Sequence, residues 1–598
     1  MTSRPRTAPR SASKCCSCSP RRSCRRSRGR SPDARGDRRA PGVVAAATAR
    51  RGRFQRFRRR PRRRRRPGAG GPGGARSTFR RQQPRLGGSG LASRRWCLPH
   101  RSAGGEPGTH APVRRDQGLA PPRVGRGGRP RGPATRLRTG DVAVTEHFTR
   151  LGLREQIGAL TRGEVGARSL AAATVDRVRR VNPLLNAACA TFDAEARADA
   201  GSGGRLAGVP VAVKDTFALP WYAPKDATPV AYRRPGAGAS GVFRRLRDAG
   251  CTVAFATNMH QLGFGTTGHV SAYGPCRNPW DVTRCPGGSS SGSAAAVAGR
   301  LVPLAIGTDA VGSVRIPASY CGVTGLKPTW GTVPSDGCAG ASSMMAIGPI
   351  TRDAADCRLA TEVLLSKSLP PGNRRPRIGL PVDAYWSDVE PGVLAACRRA
   401  IEDLGEAGCE IVEITLSGSV DVARTAATVL GAERLARMTP HWRRTVLPTL
   451  HPTIQRALEA SRGVPEHEVG RARAARQAAR DELEATFESV DLVAWPTVPT
   501  PPPLLDRPRA ALPSGTVSAD LAAMRTTGLA NLTGVPAITV PCGLDRDGLP
   551  VGLMFHAPWH QEGVLVDAAE LLEQVTERRW VDREPSAGAM PATAWQVS

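Results

Sequence analysis

The sequence predicts an α/β fold, a largely internal sheet covered on both faces by helices. Two observations carry that expectation. Short runs such as VPVAV at 209–213, and AITV at 537–540 with its single Thr, are largely apolar, without the polar alternation of a half-exposed strand, as strands buried on both faces should be. These runs alternate along the chain with amphipathic stretches of helical period, the order expected of a layered α/β sandwich.

The elements follow in order. A first helix is expected over 169–181, where Leu170, Ala173, Val175, Val178 and Val181 recur at helical spacing. The strand 209–213 comes next. A helix then starts at Ser240, an N-cap residue type, continues through Val242, Phe243 and Leu246, and stops at Gly250. Residues 252–257 form the next strand and 293–298 a helix of small residues. Further on, a strand at 378–382, a helix at 391–404 and a strand at 410–416 repeat the alternation. Residues 491–495, 537–540 and 551–555 are the last strands, and no internal repeat is present.

Charge divides the chain sharply. The 598 residues hold 87 Lys+Arg against 50 Asp+Glu, a formal charge of +37. Residues 1–140 contain 40 basic and 4 acidic side chains, and residues 141–598 contain 47 and 46, so local balances of +36 and +1 account for the total. The charge that would suggest a nucleic acid or an anionic membrane thus belongs to one segment. The remaining 458 residues are ample for the core of a large enzyme domain.

In the first 140 residues Arg supplies 39 of the 40 basic side chains, interleaved with Gly, Pro and Ser, and almost no periodicity is available to offset ordering entropy. Disorder is expected there. Such composition also follows from very GC-rich coding DNA, so a start assigned too far upstream would produce it. The rival reading is an arm that binds RNA or DNA in a salt-sensitive way. Against that reading, aromatic stacking groups are sparse, namely Phe54, Phe57, Phe79 and Trp96.

No run of about 18 apolar residues occurs, so no membrane span and a soluble, cytoplasmic protein are expected. The 15 Cys are scattered without paired CxxC units, and reduced thiols are expected. No His and carboxylate set has metal spacing, and no cofactor motif is present, so neither metal nor cofactor is expected.

The most informative stretch is 285–320, CPGGSSSGSAAAVAGRLVPLAIGTDAVGSVRIPASY. Gly287 and Gly288 permit close backbone approach, and Ser289 stands where the small-residue helix begins, so an N-cap is its plain structural role. A phosphate cradle fails because no Lys completes a P-loop. A G-x-S-x-G elbow fails because Ala310, Val311, Gly312, Ser313 and Val314 do not match it.

GGSSSGSAAAVA followed by GTDAVGSVRIPASYCGVTGLKPT resembles the amidase signature family of Ser-Ser-Lys hydrolases. The resemblance extends upstream to VPVAVKD (209–215) and TNMHQLGFG (257–265), and downstream to NLTGVPAITVPCG (531–543) and DGLPVGLMF (547–555), covering about 145–576. It implies the amidase signature fold, with a central twisted mixed sheet between helical layers, and a Ser-cisSer-Lys triad that carries over onto Ser313, Ser289 and Lys214. Lys214 ends an apolar strand, where burial would keep its amine neutral enough to accept a proton. Ser313 would attack an amide carbonyl, with Ser289 relaying its proton and the backbone N–H groups of Ala310, Val311, Gly312 and Ser313 holding the oxyanion. Val311 departs from the Gly most often found in the family. Asp309 and Arg315 are expected to brace the loop, Lys327 to be structural, His260 to be a satisfied core residue, and Cys285 and Cys321 to be unreactive.

The resemblance implies a cofactor-independent amidase acting on a small-molecule amide, similar to indoleacetamide and mandelamide hydrolases, with a homodimer left open. Its specificity should come from 420–480 and the loop 220–238. The alternative is the glutaminase subunit of the tRNA-dependent glutamyl/aspartyl amidotransferase, which shares the site but would need partner subunits. The corresponding stretch here, 470–488, is rich in Ala and Arg and has no Tyr, unlike the Tyr-rich helix of that subunit.

Overall fold

Along residues 210–214 the side chains divide between two cores: Val211 and Val213 join one apolar cluster and Ala212 the other. That split is what a strand buried on both faces requires, since its side chains alternate with period two. The computed structural model describes residues 147–193, 203–230, 238–373, 375–382, 385–417 and 420–576. The Arg-rich segment 1–140, with its expected disorder, lies outside the described residues.

Thirteen strands are present among the described residues: β1 (Ala188–Thr191), β2 (Pro210–Lys214), β3 (Thr252–Thr257), β4 (Leu304–Asp309), β5 (Thr324–Lys327), β6 (Ala346–Thr351), β7 (Arg377–Pro381), β8 (Glu410–Ile414), β9 (Leu492–Pro496), β10 (Arg509–Leu512), β11 (Gly515–Ser518), β12 (Ala537–Leu544) and β13 (Pro550–His556). Eleven form one mixed sheet in the order β1-β3-β2-β4-β6-β5-β12-β13-β9-β7-β8, and β10 and β11 make a separate hairpin. Parallel pairing joins β2 to β3 and β4 on one side, and β7 to β8 and β9 on the other. Antiparallel strands fill the middle.

Helices pack on both faces. One core holds the small-residue helix Ser291–Ala298 against Ala212, Ala254 and Ala305. The other holds the helices Gly241–Asp248, Ala354–Leu365, Pro391–Glu406 and Glu562–Val575. Among the described residues no helix is long and apolar enough to cross a membrane.

The expected elements are found with ends shifted by a few residues. The first helix runs Ala167–Leu185, and the small-residue helix begins at Ser291 rather than Ser293. Ser240 is the N-cap foreseen, its Oγ accepting the Phe243 N–H at 3.2 Å. Strands β1, β4, β5, β6, β10 and β11 were not foreseen. In β6 the dipeptide Gly348–Pro349 reads as a breaker, yet it lies inside the sheet for tertiary reasons. Leu326 O approaches so closely that a Cβ on Gly348 would stand 1.8 Å from it, and Pro349, which has no N–H, falls just beyond the residues paired with β5.

Candidate active site

The site grows from the carboxyl ends of parallel strands, where open α/β sheets leave a crevice. Lys214 is the last residue of β2 and shares the Ala212 face, beneath the helix Ser291–Ala298. It is fully buried, and burial pushes its amine down to about 7. Its Nζ donates to Ser289 Oγ at 2.8 Å, Ser290 Oγ at 3.0 Å and Thr308 Oγ1 at 2.8 Å. An ammonium fills all three contacts as donor, whereas the neutral amine keeps two N–H donors and accepts one hydroxyl proton. Lys214 can therefore exchange a proton without rearranging its neighbours.

Ser289 follows a cis peptide bond from Gly288, and its carbonyl accepts the His260 N–H at 3.1 Å. The N-cap position of the helix is occupied by Ser290, without a side-chain cap, so Ser289 is released from the capping role. Ser290 N–H instead donates to Ser313 O at 3.2 Å, tying the two serine loops together. Ser289 and Ser313 line one cavity of about 460 Å³, and Ser313 also lines an adjoining cavity of about 490 Å³. The Lys214 contacts with Ser290 and Thr308 were missed in the sequence; the run of three serines at 289–291 was the available signal for the first.

The loop carrying Ser313 is fixed by a buried ion pair. Arg315 Nε and Nη2 donate to the Asp309 carboxylate at 3.0 Å each, and both side chains are fully buried. Burial alone would raise the Asp309 carboxyl, but the Arg315 charge and its hydrogen bonds hold it down at about 2. Asn531 Oδ1 accepts from Arg315 Nη2 at 2.7 Å, its Nδ2 donates to Asp309 O at 2.8 Å, and Met554 Sδ accepts from Arg315 Nη1. The downstream motifs thus brace the loop from the middle of the sheet. Asp309→Asn should destabilise the protein by about 3–5 kcal/mol in urea unfolding at pH 7, since it leaves the Arg315 charge buried without its counter-ion.

Of the four backbone groups expected to hold an oxyanion, Gly312 requires a correction. Its N–H donates to Asp309 Oδ1 at 2.6 Å, so that donor is already engaged, while Ala310, Val311 and Ser313 N–H donate to no acceptor among the described residues. Gly312 is needed for shape instead: its φ is +103° and a Cβ there would meet Thr527 Oγ1 at 2.3 Å. Val311 is accommodated where Gly is usual. Its φ is outside the left-handed region, its carbonyl accepts from Thr527 Oγ1 at 2.8 Å, and its side chain lines the larger cavity.

The other residues singled out lie behind the reacting groups. His260 is buried, its Nδ1 accepts the Gly268 N–H at 3.2 Å, and burial lowers it to about 4, so it is a neutral core residue. Lys327, also pushed down to about 7 by burial, donates to Pro328 O away from the serines. Cys285 and Cys321 are buried with thiols raised by burial, the opposite of reactive thiolates. From 420–480 the helices Val422–Arg437 and Pro452–Arg462 contribute Leu430, Arg434, Ala457 and Ala460 to the cavity wall, and Asp226 contributes from the loop 220–238. Among the described residues no group of three or more His, Cys, Asp or Glu could hold a metal.

Known proteins resemble this arrangement over most of its length. The chain is 31% identical over 499 residues to the A component of the glutamyl-tRNA(Gln) amidotransferase of Chromohalobacter salexigens, covering 73% of this chain and 98% of that protein. It is 32% identical to the same-named protein of Moorella thermoacetica over 496 residues, 72% and 97% of the two chains. A crystal structure of an amidase superposes with a TM-score of 0.67 at 30% identity, covering 71% of this chain and 99% of that one. Residues 169–566 match the family model described as Amidase, and the chain belongs to that family.

Proposed function

We propose that the chain is a cofactor-independent amidase that hydrolyses a carboxamide C–N bond to a carboxylic acid and ammonia or an amine. The observation that carries this reading is Lys214: buried, pushed down to about 7, and 2.8 Å from the Oγ of Ser289, on a cavity that Ser313 also lines. In the proposed reaction Ser313 Oγ attacks the carbonyl carbon while its proton passes to Ser289 Oγ, whose own proton passes to Lys214 Nζ. The carbonyl oxygen takes the negative charge and is met by the N–H groups of Ala310, Val311 and Ser313. Collapse breaks the C–N bond, and the proton returns from Lys214 through Ser289 to the leaving nitrogen. Water then cleaves the acyl-Ser313 ester by the same relay, regenerating Ser313 and releasing the acid.

A glutaminase subunit of a tRNA-dependent amidotransferase is the second reading, favoured by the names of the relatives at 31–32% identity. The helix Glu466–Phe487 supports the first, since it has no Tyr. An ammonia-release screen over aryl, alkyl and amino-acid carboxamides with purified protein separates the two. Release from simple amides by the protein alone is expected, and release from glutamine only when tRNA and partner subunits are added would reverse the order.

A further inference from the structure

The two cavities that meet at Ser313 do not share the site's groups evenly. Ser313 and Ala310 line both, Val311 lines the larger, of about 490 Å³, and Ser289 and Thr308 line the smaller, of about 460 Å³. Gly263, Phe264 and Arg434 border each cavity and form a divide between them: Arg434 Nη2 donates to Gly263 O at 3.1 Å, and its guanidinium carbon sits 4.1 Å from the centroid of the Phe264 ring. An ideal Cβ on Gly263 would lie 3.4 Å from Ser289 Oγ and 3.7 Å from Arg434 Nη2, so those two atoms are no more than about 7 Å apart and the divide stands close to the reacting groups.

The direction of the proton relay gives each cavity a role. A departing amine takes its proton from Ser289 Oγ, so the scissile nitrogen must come within about 3 Å of that atom. Of the two cavities Ser289 lines only the smaller, and whatever the nitrogen carries extends there. Ammonia would leave that space almost empty, since a molecule the size of water takes about 30 Å³ of the about 460 Å³ present. The acyl group is left with the larger cavity, on the side of Val311. Leu430, Ala457, Ala460 and Met524 give it apolar walls. Charged groups on its rim are already engaged: Arg424 pairs with Glu468 at 3.4 Å, and Asp520 Oδ1 accepts the Thr266 N–H and hydroxyl at 2.6 and 2.8 Å.

We propose that the substrate is a secondary amide that straddles this divide, with an apolar acyl group in the larger cavity and the substituent of its nitrogen in the cavity of Ser289. The assignment rests on the amidase reading of Ser313 and adds to it the substrate class and the direction in which the substrate lies. The C–N bond breaks between the two cavities. The nitrogen leaves as a primary amine on the Ser289 side, carrying the proton that Ser289 gave it, while the acyl group stays on Ser313 until water releases the acid.

Four amides test both parts with the full chain: acetamide, hexanamide, N-butylacetamide and N-butylhexanamide, with the acid released measured for each. In the wild type, kcat/KM should rise about tenfold from acetyl to hexanoyl and about tenfold from the primary to the N-butyl amide, less than complete burial of four carbons would give. Ala457→Leu, which narrows the larger cavity, should bring the hexanoyl-to-acetyl ratio to about one and leave the N-butyl ratio within about twofold of wild type. Ala341→Leu, which narrows the cavity of Ser289, should do the reverse. Near-ultraviolet circular dichroism checks that each variant is folded, and the smaller step to Val replaces Leu where it is not. An N-butyl ratio of one in the wild type, ratios that neither substitution moves, or Ala457→Leu acting on the N-butyl ratio instead would overturn the proposal. So would failure to turn over any of the four by a protein that a fluorophosphonate labels at Ser313. Failure of the amidase reading appears separately, as absence of that label from the wild-type protein.

Discussion

Ser313→Ala should lower kcat for any amide substrate roughly a million-fold, the loss expected on removing the proposed nucleophile from a serine triad. In the proposed roles no other group at the site forms the acyl bond. Cys285 and Cys321 are buried thiols with raised pKa, and Ser290 and Thr308 are held against Lys214 by hydrogen bonds. Peptide mapping after fluorophosphonate treatment should find the label on Ser313 of the wild type, none on Ser313→Ala, and slow labelling on Ser289→Ala. A label on Ser289, with Ser313→Ala still turning over amides, would reverse the roles of the two serines.

Lys214→Met should be nearly as damaging, with a distinct signature in pH. Because burial lowers the amine to about 7, the wild-type kcat/KM should fall about tenfold for each pH unit below that value and level off above it. In Lys214→Met the inflection should disappear and the residual rate should climb with hydroxide. Ser289→Ala keeps the base and should keep the inflection. Stability responds to the same group. The unfolded chain holds the Lys proton up to its ordinary pKa of 10.5, the folded chain only up to about 7, so between these values the unfolded state binds more protons and wild-type stability rises with pH. Urea midpoints of wild type minus Lys214→Met should therefore shift in favour of wild type from pH 7 to pH 10 and be flat below pH 7. A flat difference across the whole range would mean that Lys214 is an ordinary ammonium.

The position of Lys214 was legible through the resemblance of VPVAVKD to the family's motif, since a Lys ending a strand more often faces solvent when taken alone. The bracing roles of Asp309 and Arg315 were legible as well, and the structure joins them in a buried ion pair. Arg434 carried no such signal. It is one of several Arg on a helix of ordinary composition, and only the packing of that helix over residues 263–264 separates it from Arg437, which stands more exposed three residues on. The Gly312 N–H was expected from the resemblance to meet the oxyanion, but its capture by Asp309 depends on a turn that no local pattern encodes.

The sequence by itself determined the alternation of strands and helices, the boundary where charge changes near residue 140, and the segments that carry Lys214, Ser289 and Ser313. The first two depend on side-chain period and local composition, which neighbours along the chain set, and the third on the resemblance of their motifs to those of the amidase signature family. Tertiary structure alone decided that the sheet has eleven strands with a β6 containing Pro349, that Ser290 and Thr308 share the Lys214 amine, and that Arg434 stands within about 7 Å of Ser289 Oγ. Each of those contacts joins residues far apart in the chain, and their geometry follows from how buried surfaces close on one another.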